Sequence, residues 1–93
     1  MVINKGSVET MVVSVVDNLE QMVELPAGTL YDIYDTDGNL EVENQVAVVE
    51  GMQARCLINT TNLAVDDYDL FVKFSSASET PIIGPHRFRV TPL

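Results

Sequence analysis

Few residues in this chain are equipped for chemistry: one histidine, His86, one cysteine, Cys56, and two groups of acids. Asp35, Asp37, Glu41 and Glu43 form one group and Asp66, Asp67 and Asp69 the other. A Cys/His nucleophilic pair needs an accessible thiolate beside the imidazole. Cys56 instead shares an alternating run with Ala54 and Ile58, which points it toward a core as one more apolar filler. Ser/His/Asp catalysis would have to use His86, which lies between Pro85 and Arg87, and the chain holds no Gly-x-Ser-x-Gly turn. One His and one Cys cannot supply a closed four-ligand zinc site. No catalytic residue is expected.

Calcium is the metal that the acids would suit, since hard cations take carboxylate oxygens. Setting Asp35, Asp37 and Gly38 on positions 3, 5 and 6 of an EF-hand loop puts Ile33 at position 1 and Asn44 at position 12, where acids are required. The template fails, and Asp37-Gly38 is read as a hairpin turn. Neither a metal nor a cofactor is expected. Asn59-Thr60-Thr61 matches the glycosylation acceptor pattern, which is read as chance in a chain that opens without a signal peptide.

These residues must be held by something, and the elements read clearly in places. In Asp67-Tyr68-Asp69-Leu70-Phe71-Val72-Lys73-Phe74, the residues Tyr68, Leu70, Val72 and Phe74 share one face of a strand and Asp67, Asp69 and Lys73 the other. Phe71 is an apolar residue on the polar face, so another element or a partner should cover it. Residues 8–16 read as a long strand with apolar residues on both faces, Met11, Val13 and Val15 against Val8, Val12 and Val16. Asp17-Asn18 ends it, and Leu19 to Leu25 reads as a short strand or an irregular crossing closed by Pro26-Ala27-Gly28. Thr29 to Tyr34 is a strand leading into the turn at Asp35 to Asn39, and Leu40 to Asn44 is its return or an exposed connection. Gln45 to Val49 and Met52 to Ile58 are strands about the turn Glu50-Gly51, with Met52, Ala54, Cys56 and Ile58 inward. A helical turn is expected within Asn59 to Val65, and a polar loop over Ser75 to Thr80. Pro81 to Val90 is the closing strand, with Phe88 and Val90 inward, Arg87 and Arg89 outward, and its prolines confining it to an edge or bulged position at its start. About seven short strands without an amphipathic helix predict an all-β fold, an antiparallel β-sandwich, with a small barrel as the alternative.

Ninety-three residues, 46% of them apolar and 20% charged, fit one globular domain. A single cysteine cannot form an internal disulfide, and no 18-residue apolar span is present to cross a membrane. The net charge of −9 opposes binding to a phosphate backbone, so nucleic acid is not expected as a partner. Charge is uneven along the chain. Residues 1–69 carry −11 while residues 70–93, with Lys73, Arg87 and Arg89 against Glu79, carry +2.

The order of an opening strand ending Ser14-Val15-Val16-Asp17, then Tyr31-Asp32-Ile33-Tyr34 before Asp37-Gly38, the run Val65 to Phe74, and Gly84-Pro85-His86-Arg87-Phe88-Arg89-Val90 resembles the immunoglobulin-like domains of tailed-phage structural proteins. Paired cysteines and Trp, hallmarks of antibody-type domains, are missing. The resemblance implies a non-enzymatic virion component made in the host cytoplasm, a capsid decoration protein foremost and a tail, baseplate or fibre module next. Its implied partners are the major capsid protein or other virion proteins and copies of itself. A bacterial module that binds protein or glycan through its loops is the rival reading. Phe71, Lys73, Arg87 and Arg89 are the candidate interface, because aromatic and Arg residues are enriched among interface hot spots.

Overall fold

In the computed structural model, residues 1–15, 19–22, 24–74 and 82–92 are described. They contain eight strands: β1 (Val2–Asn4), β2 (Val8–Ser14), β3 (Leu30–Asp35), β4 (Leu40–Val46), β5 (Val48–Glu50), β6 (Gln53–Asn59), β7 (Asp67–Lys73) and β8 (Ile82–Thr91). The strands form a five-stranded sheet in the order β1-β8-β7-β3-β4 and a three-stranded sheet in the order β2-β6-β5. All pairings are antiparallel except β1 with β8.

Alternation builds the core between them. Ala54, Cys56 and Ile58 of β6 and Leu70 and Val72 of β7 are fully buried, facing Val13 of β2, Tyr31 and Ile33 of β3 and Phe88 and Val90 of β8 in one cluster. The hairpin-linked pairs β3–β4, β5–β6 and β7–β8 each stay within one sheet, and the chain changes sheet at the connections between them, with β2, β6 and β5 in one layer and β1, β3, β4, β7 and β8 in the other. The result is a β-sandwich of two open sheets. At the start of β7 the Tyr68 hydroxyl donates to the Ala64 carbonyl at 2.7 Å, which ties the strand to the loop before it. The ring stacks on Phe88 at 5.5 Å. A second hydroxyl spans the layers, Tyr31 of β3 donating to the Leu57 carbonyl of β6.

Several expectations change. The sheets are open, so the sandwich holds and the barrel does not. Three residues, Val2–Asn4, make a strand that is too short for any periodicity to announce, and it is fixed by pairing with Arg89 to Thr91. The closing strand is therefore interior at its end, while its start, as expected from the prolines, is paired only with β7 and is irregular in register. Its Pro85 is accommodated at a register shift between Leu70 and Val72, and Pro81 lies outside the described residues. The run from Leu40 to Glu50 is one extended path that changes sheet at the buried Ala47, whose N–H donates to the Thr29 carbonyl at 3.0 Å. Val8 and Val12 are exposed, so only one face of β2 is covered, and Val16 with Asp17-Asn18 lies outside the described residues. Met52 is exposed at the turn before β6 rather than inward. The segment from Asn59 to Val65 forms turns without a helix. Of Leu19 to Leu25, the described residues show one isolated bridge, at Met22, and the loop Ser75 to Thr80 lies outside them.

Candidate functional site

Outward-facing residues of the five-stranded sheet bring all four candidates onto one surface. Pairing of β3 with β7 sets Asp32 opposite Phe71 and Tyr34 opposite Asp69, and pairing of β7 with β8 sets Asp69 opposite Arg87 and Asp67 opposite Arg89. The four candidates differ in what they offer. Arg87 grips Asp69 through Nε at 3.0 Å and Nη2 at 3.2 Å, and Arg89 grips Asp67 at 2.7 and 3.2 Å. Lys73 Nζ lies 2.8 Å from Asp32 Oδ2, whose side chain is 9% exposed and also accepts the Asn44 N–H at 2.8 Å. The positive end of the chain is thus spent on its own acids. Hydrogen bonding from the Arg89 guanidinium holds the Asp67 carboxyl below the usual range.

Phe71 is half-buried, and its cover comes from within the fold. Its ring meets Tyr34 edge to face at 5.6 Å and 86°, and Gly84 passes so close that a Cβ there would sit 2.8 Å from the ring. The two rings floor a groove of about 410 Å³, extended by Ile82 and rimmed by Asp32, Asp35 and Asp69. Asp32 and Asp69 already have cations, but Asp35 is balanced only by hydrogen bonds. Its Oδ1 accepts the N–H groups of Asp37 at 2.9 Å and Asn39 at 2.8 Å, and its Oδ2 accepts Asn39 Nδ2 at 3.0 Å. These bonds, the Asn39 side chain first, lower its pKa and keep it ionised. They also explain the Asp35 to Asn39 turn, in which Gly38 supplies the positive φ of 85°. The groove therefore offers two aromatic rings beside a fixed negative charge, a setting for a cationic or hydrogen-bonding side chain.

Of this site the sequence reading found Phe71 and the cations but missed Tyr34, Asp32 and Ile82. The signal was available in the alternation Asp32, Tyr34, which mirrors Asp69, Phe71 on the next strand. What could not be read was that these two strands are neighbours. The reactive residues lie elsewhere. Cys56 is buried in β6 with its thiol pushed up to about 11 by desolvation, and His86 is on β8 in the opposite sheet with a buried Nε2. Comparison with protein-family models, curated proteins and solved structures gives no match to this chain.

Proposed function

We propose that this chain is a non-enzymatic structural module of a tailed-phage particle, a capsid decoration protein foremost, that attaches through the outer face of its five-stranded sheet. The observation that carries the reading is the rigidity of that face. Arg87, Arg89 and Lys73 are each locked to an acid on a neighbouring strand, and Tyr34 and Phe71 lock each other. A surface so ordered loses little side-chain freedom on docking, which favours a permanent contact. The phage setting is supported by the resemblance of the strand motifs. Rings beside carboxylates also suit a sugar, which makes a glycan-binding module the second reading.

The test uses Ile82→Glu, because the Ile82 side chain is 65% exposed in the groove and is not part of the core cluster. The variant is expected to melt like the parent yet fail to co-sediment with phage heads stripped of this protein. Undiminished co-sedimentation of the variant overturns attachment through the groove. Absence of parent protein from heads and tails alike, with binding on a glycan array, transfers the reading to the glycan module.

A further inference from the structure

The four sheet edges are not equally protected. β1 and β5 are three residues each, too short to template another chain. β4 has seven residues, but it carries Glu41 and Glu43, two register shifts against β3 and a positive φ of 53° at Asn44. Charge and irregularity of this kind block edge-to-edge pairing. β2 has none of these devices. Its seven residues pair with β6 without a shift, from Val8 opposite Asn59 to Ser14 opposite Gln53, and include neither proline nor glycine and only one charge, Glu9. Among the described residues the sheet order sets no strand on its other side. In an immunoglobulin-like sandwich that side is where a further strand would lie, and here the first strand, β1, pairs with β8 instead.

Unpaired N–H and C=O groups in register specify an extended polypeptide as the occupant. The side chains on the outer sheet surface at this edge are apolar and exposed, Val8 at 50% and Val12 at 46%, with Leu57 of the adjoining β6 at 56%. Charge decides between a second copy and a different protein. All five Lys and Arg residues are bonded within the chain, Lys5 to the Leu63 and Thr61 carbonyls and the other four to acids, while the molecule carries −9. A second copy would bring −9 against −9 with no free cation to relieve it.

We propose that the free edge of β2 takes up an extended, lysine- or arginine-bearing segment of another protein, which becomes the fourth strand of the three-stranded sheet. Main-chain hydrogen bonds hold the segment, its apolar side chains lie beside Val8 and Val12, and a cation sits by Glu9. This contact does not depend on the groove, since β2 and the five-stranded sheet belong to different layers.

The probe is a capped nine-residue peptide of alternating valine and lysine, compared with the same peptide N-methylated at alternate residues, which keeps its charge but cannot complete a ladder. Titrated into the full isotope-labelled chain, the first peptide is expected to give saturable amide shifts and slowed amide exchange over residues 8–14. The methylated peptide should bind roughly tenfold weaker or less, because it offers charge alone. Val12→Lys should abolish the shifts while leaving the melting temperature of the free protein unchanged. The proposal is overturned if both peptides bind alike, if the shifts fall on Glu41 and Glu43 of β4, or if no saturation is reached at millimolar peptide. A parent dimer in light scattering that Val12→Lys splits would also overturn it, assigning the edge to a second copy.

Discussion

Tyr68 does two jobs with one side chain: its ring is 2% exposed against Phe88 and its hydroxyl fixes the loop at Ala64. Separating them gives a graded expectation. Tyr68→Phe keeps the ring and loses one hydrogen bond, costing about 1 kcal/mol because the exposed Ala64 carbonyl can turn to water. Tyr68→Ala removes the ring as well and should cost about 3–5 kcal/mol. Urea denaturation of the two variants checks the difference, and equal losses would mean the ring contributes nothing. Gly84 is constrained by space rather than by burial. A Cβ there would lie 2.9 Å from the Leu70 carbonyl oxygen and 2.8 Å from the Phe71 ring, with φ at +153°. Gly84→Ala should therefore destabilise by about 1–3 kcal/mol through the forced shift of a packed ring, read in the same denaturation experiment.

At the scale of strands, the paired charges on the outer face of β7 and β8 set a pH dependence. Asp67, bonded to Arg89, and Asp35, bonded within its turn, both have lowered pKa values. Their contribution is present above the ordinary carboxylate range and is lost as the pH falls through the lowered values, so urea midpoints should drop below about pH 4. Arg87→Glu with Arg89→Glu would set like charges opposite Asp69 and Asp67, so that variant is expected to melt earlier than the parent, most clearly at low salt. The same strands show what the sequence could tell. β6 and β7 were legible because half-buried strands alternate, and Ala54, Cys56, Ile58, Tyr68, Leu70 and Val72 follow that period without a fault. β1 was not, since three residues carry no period, nor was the break at Ala47, where a continuous extended run serves two sheets in turn. The candidate surface was half legible for a related reason. Arg87 and Arg89 could be placed on the outward face of their own strand, but their neutralisation by Asp69 and Asp67 depends on which strand lies alongside.

For the molecule as a whole, the acidic balance leaves a surface with no cation to spare, so partners should meet it with positive charge and weaken as salt rises. The acids near the hairpin are expected to ignore calcium, because the Asp35 oxygens are already taken by its own loop. Millimolar calcium should leave the melting temperature unchanged, and a dose-dependent rise that magnesium does not reproduce would contradict this. The central claim is attachment to a particle through the five-stranded sheet, and a reconstruction of the phage particle tests it most directly. The account predicts the chain at regular positions on the head, with Tyr34, Phe71 and Ile82 turned toward the underlying shell. Particles without the chain, or with that face turned to solvent, would contradict it.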